Sequence, residues 1–430
     1  MKTSARVLLS ALMILATMFL ANCGGSYGCR VTFGNSTCNP SGSGITSGGG
    51  GTGGSGGGGS SNTAYVFQVD TLGTIDGYTL NSTAGTLAET SGYTGPTVPT
   101  NSGGVGMVVA QEQFLYAGFG ITNQIFGWTI SSDGILKTIN GSPFSAPYLS
   151  NIGVAAEADM ITNPAGTLLF VSDPTQNEIY VYSIGTGGVL AAVTGSPFAV
   201  PFPPLNLATD GLGQFLYAVD DNTATHTGSE IAAFSISSSG VLTAVTGSPF
   251  TGTNFSMWLL KGEPTGQFMI GTSGNSVAYS GVDDDNLYVF NITPSGTSAG
   301  ALTQVAVVPT NYSPFSIAVQ SNTGGDQVYS FSFNDTATGF NAVEGYTISS
   351  SGTLIRDTGS PFSGVGDGSW GQFDQSGDLL FVYSSYINPS TSLLQTQLAP
   401  LDVASGGALT QPVSTLTLPT AGFWVITDPN

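Results

Sequence analysis

The sequence predicts an all-β protein, a seven-bladed β-propeller of four-stranded antiparallel blades, and three observations predict it. A Gly-x-Leu step recurs seven times, at Gly85-Thr86-Leu87, Gly134-Ile135-Leu136, Gly188-Val189-Leu190, Gly240-Val241-Leu242, Gly300-Ala301-Leu302, Gly352-Thr353-Leu354 and Gly407-Ala408-Leu409. Successive leucines lie 49, 54, 52, 60, 52 and 55 residues apart, a period that suits one four-stranded blade per repeat. The apolar residues come in short runs rich in Val, Ile, Phe and Tyr, separated by Gly, Ser, Asn and Pro, with 62 Gly and 7% charged residues among 430.

Residues 1–22 read as an export signal. Lys2 and Arg6 form a charged start, and Val7 to Leu20 is a weakly polar to apolar run too short for a comfortable membrane span. Leu20-Ala21-Asn22-Cys23 resembles the end of a bacterial lipoprotein signal, which implies cleavage before Cys23 and lipid on that residue; Asn22 departs from the usual Gly or Ala. An ordinary secretory signal cut nearby is the alternative. Cys23, Cys29 and Cys38 are the only cysteines. If Cys23 carries lipid, Cys29 and Cys38 are left to form a disulfide in an oxidising compartment; a metal site lacks a nearby histidine to complete it. Residues 23–61 are thus a Cys-containing segment followed by a Gly/Ser-rich tether, SGSGITSGGGGTGGSGGGGSS at 41–61, which cannot bury apolar surface.

The propeller occupies 62–430. Blade three shows the pattern: strand A at Ala158 to Thr162, a turn at Asn163-Pro164-Ala165-Gly166, strand B at Leu168 to Ser172, strand C at Ile179 to Ile184 and outer strand D at Leu190 to Thr194. Strand C carries Tyr78, Trp128, Tyr182, Phe234, Phe290, Tyr346 and Leu401 at one register, the place of a side chain packed between neighbouring sheets. Laying Tyr78 on Tyr182 without a gap puts Tyr65 on Leu169, so the N-terminal blade starts at strand B. Its missing strand A is found at Trp424 to Pro429, which matches Asp159 to Pro164, and the C-terminus is expected to close the ring.

The series LLFVSD, IYVYSI and GGVLAAVTGSPF resembles the seven-bladed β-propeller lactonase family, related to propeller-type 6-phosphogluconolactonases, over roughly 62–430. The resemblance implies the fold and a possible lactone hydrolase activity, but these motifs build blades and not sites.

The B–C loops and the D-to-A connections share one face, elaborated at Asp221 to Gly228, Ser273 to Asp285, Asn334 to Asn341 and Ser385 to Gln397. Long loops on a rigid scaffold commonly bind ligands, against neutral loop variation as the plain alternative. Lactone hydrolysis needs a base and a donor or cation for the oxyanion, and a phosphosugar needs cations for its phosphate. Lys137 and Arg356 are expected in outer strands, and Lys261 near the A–B turn on the opposite face. His226, the only histidine, Glu157, Asp159 and Asp367 are the candidate catalytic groups, set against a solvated loop histidine and channel-facing polar residues. Trp258, Trp370 and Trp424 in strands A, with Asn206, are ligand-binding candidates; Trp370 and Trp424 are read at one register, and inter-blade packing is the alternative. Asp283-Asp284-Asp285 offers oxygen ligands for calcium but lacks the alternation of a calcium loop, so a solvated acidic turn is the alternative. No hydrolase elbow or zinc constellation is present.

A formal charge of -20 repels a phosphate-rich partner through the net field and argues against nucleic acid. The expected protein is an exported, lipid-anchored, extracytoplasmic monomer of the bacterial envelope that binds a small molecule, glycan or protein on the loop-rich face, with little or no lactonase activity. The competing expectation is a lactone hydrolase acting on a phosphorylated or a neutral lactone. Neither a cofactor nor nucleic acid is expected, and the membrane is reached through the lipid alone.

Overall fold

The computed structural model describes residues 63–70, 74–81, 86–96, 98, 104–119, 124–146, 159–220, 230–251, 257, 259–272, 285–311, 314–322, 325–332, 343–362, 370–373, 379–387, 394–410, 416–418 and 422–427. The expected signal and tether, and the three cysteines, lie outside them. Seven antiparallel sheets follow one another, each ordered inner, second, third and outer strand. The inner strands are Gly422–Thr427 for blade one, then Gly104–Ala110, Met160–Thr162, Asn206–Thr209, Leu259–Gly262, Pro314–Asn322 and Trp370–Phe373. Blade three continues with Leu168–Asp173, Glu178–Ile184 and Leu190–Ala192, close to the expected bounds.

The outer strand is shorter than expected, and TGSPF is the reason. After Ala192 the chain leaves the ladder, and Phe198–Ala199 returns to pair with the same third strand at Ile179 and Glu178. The N–H of Val181, facing the gap, donates instead to Ser196 Oγ at 2.9 Å. Gly127, Ala233 and Gly345 donate likewise to Ser142, Ser248 and Ser360. The TGSPF motif therefore inserts a serine into a ladder, satisfying a backbone donor that would otherwise be orphaned. Blade five lacks the motif. Its outer strand, Leu302–Pro309, runs on with one irregularity opposite Val289 and Phe290.

The Gly-x-Leu step has two physical causes. Gly188 sits at φ +80, and a Cβ there would lie 2.6 Å from Ile139 Cδ1 and 2.7 Å from Phe114 Cδ1 of the preceding blade. Only glycine makes this turn and lets the next blade approach. Tyr116 then donates its hydroxyl to Gly188 O at 2.6 Å, and Tyr217 and Tyr329 do the same to Gly300 and Gly407.

The core lies in the seams between blades. Trp128, Tyr182, Phe234, Phe290, Tyr346 and Leu401 oppose Leu115, Leu169, Leu216, Met269, Val328 and Leu380 at one equivalent position, all buried. Between blades three and four, for example, Ile161, Phe170 and Val181 pack on Leu216, Ala218 and Phe234.

Ring closure follows the sequence reading, with one slip. Thr63–Asp70 pairs with Gly422–Thr427, Tyr65 opposite Thr427. However, Tyr78 faces Val66 and not Tyr65. Tyr65 therefore occupies the place of Leu168, touching Gly134 of the next blade as Leu168 touches Gly240. A one-residue change in strand pairing exchanges the faces of every side chain, and an ungapped alignment does not see it.

Candidate functional site

The inner strands begin at the loop-rich face, and their first positions are equivalent in the ladder: Asp159, Asn206, Leu259 and Trp370. Trp424, opposite Gln68, stands one step further along its strand, so it does not share the register of Trp370. The same slip in blade one explains the difference.

Asp159 is buried, and its backbone is tied to the second strand by Asp159 N donating to Ser172 Oγ at 2.7 Å and Ser172 N to Asp159 O at 2.9 Å. Its Oδ2 accepts two hydrogen bonds from blade four, from Asn206 Nδ2 at 2.9 Å and from Leu207 N at 2.7 Å. Asn206 Oδ1 in turn accepts from Leu260 N of blade five at 3.0 Å. The chain Asp159, Asn206, Leu260 thus staples three blades at the channel mouth. Charge-assisted bonds to backbone N–H hold a carboxylate firmly, and here they engage Oδ2.

Lys261 changes the sequence picture. It lies two residues before Glu263 of the A–B turn, yet it is buried and not turned to the opposite face's solvent. Burial pushes the ammonium below the usual lysine range, and the Asp159 carboxylate opposes that shift. The signal was present in the repeat: Lys261 opposes Ile270 where Ile161 opposes Phe170 and Ala208 opposes Tyr217. A cation at a position that blades three and four fill with apolar residues, and blade seven with Gln372, is a departure visible from alignment of the blades alone.

Arg356 ends an outer strand, as expected, and is committed there. Its Nη1 lies 3.0 Å from Glu344 Oε2, a fully buried carboxylate, and its guanidinium lies 5.2 Å from the Tyr346 ring centroid. Glu344 also takes hydrogen bonds from Tyr346 Oη and from Asn311 N. Lys137 lies in the outer strand Leu136–Thr138.

Trp370 is buried in one apolar cluster with Phe381 and Tyr383 of blade seven, Val66 and Phe67 of blade one and Met107 of blade two. Asp285 has a left-handed backbone, φ 28, and its carbonyl accepts from Thr310 N and Oγ1, both at 2.7 Å. Glu157, His226, Trp258, Asp283, Asp284 and Asp367 lie outside the described residues, as does the side chain of Trp424. One expected loop is in part strand: Ser385, Tyr386 and Ile387 pair with Thr396, Gln395 and Leu394, lengthening blade seven on the loop-rich face.

No family model matches the sequence, and no curated protein matches it. Solved structures do. The periplasmic gluconolactonase of Pseudomonas aeruginosa is 14% identical over 86% of this chain and 99% of that one, with a TM-score of 0.56. A protein of Bacteroides uniformis provisionally designated a 6-phosphogluconolactonase is 14% identical over 85% and 100%, TM-score 0.57. This chain has the lactonase-propeller fold. A Lactobacillus plantarum protein, 15% identical over 85% and 98%, TM-score 0.51, shares it too. At such identities the likeness is one of fold, and what this lactonase-type propeller does rests on its own residues.

Proposed function

We propose that this protein is an extracytoplasmic binding propeller, tethered to the envelope through lipid on Cys23, that takes an uncharged ligand on its loop-rich face and does not hydrolyse phosphosugar lactones. The observation that carries the reading is the use of polar groups at the mouth: Asp159 Oδ2 and the Asn206 amide join blades three, four and five. Basic residues support it. Of the three after residue 61, Lys137 is on an outer strand, Arg356 is held by Glu344 and Lys261 is buried beside the influence of Asp159. A phosphomonoester brings nearly two negative charges, and none of these three is an exposed cation on an inner strand. The periplasmic setting named for the Pseudomonas aeruginosa neighbour is consistent with export.

Purified protein incubated with 6-phosphogluconolactone is expected to show the spontaneous rate only, while titration calorimetry with neutral sugars and lactones finds the ligand. Turnover of the phosphorylated lactone that His226→Ala abolishes would overturn the reading. A second reading, hydrolysis of a neutral lactone, is favoured by the fold shared with a gluconolactonase. It would be established by gluconolactone turnover lost in Glu157→Gln or Asp367→Asn.

A further inference from the structure

Seven copies of one blade provide an internal control, because each buried position can be compared with its counterparts in the other seams. Behind the glycine of Gly-x-Leu, four seams are lined by apolar side chains: Phe114 and Ile139 at Gly188, Leu168 and Val193 at Gly240, Phe215 and Val245 at Gly300, Phe268 and Val305 at Gly352. The seam between blades six and seven departs. There Gln327 and Asp357 face Gly407, and a Cβ on that glycine would lie 2.4 Å from Gln327 Oε1 and 2.2 Å from Asp357 Oδ2.

Both side chains are buried, Gln327 at 1% and Asp357 at 7% exposure. Their other polar atoms meet on Thr347: Gln327 Nε2 donates to Thr347 Oγ1 at 3.0 Å, and Thr347 Oγ1 donates to Asp357 Oδ1 at 2.7 Å. Two acceptors, Gln327 Oε1 and Asp357 Oδ2, are then left facing the same point with no donor from the described residues. Turning the Gln327 amide over would aim Nε2 at Asp357. It would also set Oε1 against Thr347 Oγ1, whose proton already goes to Asp357, so an orphaned acceptor would remain.

We propose that Asp357 is protonated in the folded protein and donates that proton from Oδ2 to Gln327 Oε1, closing a ring of three hydrogen bonds that ties the second, third and outer strands of blade six together where that blade faces Gly407 of blade seven. Gln327 Nε2 and Oε1, Thr347 Oγ1 and Asp357 Oδ1 and Oδ2 then each have a partner in the ring. No neighbouring charge competes. Arg356, the next residue, is turned to Glu344; Tyr346 also bonds Glu344; Tyr329 donates to Gly407 O; Asp326 is bonded by Ser321; and Asp402 is exposed. Burial raises the Asp357 carboxyl above its ordinary range, with the Thr347 hydrogen bond opposing in part. The sign follows: stability from the ring is complete below the unfolded value, near about pH 4, and is lost as pH rises through the raised folded value.

Asp357→Asn keeps the shape and supplies a permanent donor, so it mimics the protonated acid at every pH. Thermal unfolding of the full-length protein and of this variant, from pH 4 to pH 8, reads the difference. The two are expected to melt together near pH 4, with the variant pulling ahead by about 2 °C or more by pH 8. A difference that does not change with pH, or a wild type that gains on the variant as pH rises, would overturn the proposal. Infrared spectra give a readout independent of stability: a protonated-carboxyl C=O band present in the wild type at pH 6 and missing in Asp357→Asn. Absence of that band would equally overturn it. So would saturable stabilisation by sodium or calcium that Asp357→Asn removes, since the occupant would then be a cation.

Discussion

Glycine sets the spacing of the molecule one residue at a time. Gly187 and Gly188 adjoin and have similar backbones, φ +73 and +80, but a Cβ on Gly187 meets nothing within 4 Å whereas one on Gly188 runs into Ile139 and Phe114. Gly187→Ala is therefore expected to cost about 1 kcal/mol from backbone conformation alone, and Gly188→Ala about 2–5 kcal/mol once overpacking is added. Urea unfolding of both checks the pair, and equal losses would show that the seam yields freely. Asn206 offers a second test. Asn206→Ala removes a donor from Asp159 and an acceptor from Leu260 N, both buried, and should destabilise by about 2–4 kcal/mol. If that variant keeps normal ligand binding in calorimetry, the staple is structural, as its hydrogen bonds indicate.

Among the strands, the C-terminal one has the largest consequence. It supplies the inner strand of blade one, and the seam beside it contains Val66, Met107, Trp370 and Phe381 from three blades. Deleting residues 424–430 exposes the second strand of blade one as a bare edge and opens that seam. Loss of a cooperative melt at the wild-type temperature is the expected outcome; an unchanged melt would show that closure is made elsewhere. The serine-bridged outer strand is the milder case. Ser196→Ala orphans the Val181 N–H and should cost about 1–2 kcal/mol in the same assay.

The whole molecule is governed by its charge. All 26 acidic residues and only three basic ones follow residue 61, so the folded ring repels itself. Screening shortens from about 30 Å at 0.01 M salt to about 3 Å at 1 M. The melting temperature is expected to rise as NaCl is added across that range, and a flat response would show that the carboxylates are already compensated. Among the described residues, Asp159, Asp173, Asp210, Glu263 and Glu344 are the acidic residues least exposed to that screening, because the fold buries each to 1% exposure or less.

What could be read from the chain was whatever the repeat states seven times. Gly-x-Leu, the aromatic position of the third strand and the closing C-terminal strand are short-range patterns, and each blade confirms the others. Spacing alone thus determined the blade count, the strand order and the closure. The single departures needed the tertiary structure. Tyr65 was misplaced by one step because a register slip leaves no mark on composition, and TGSPF hid a strand because its ladder bond comes from a serine hydroxyl. Lys261, Asn206, Gln327 and Asp357 are isolated polar residues in apolar patterns, and a sequence does not say which seam each one enters. Their meaning depends on partners 47 residues away for Asn206 with Asp159, and 20 and 10 residues away for Thr347 with Gln327 and Asp357. Hydrogen bonding and burial are set by distance in space, and only folding brings those groups together.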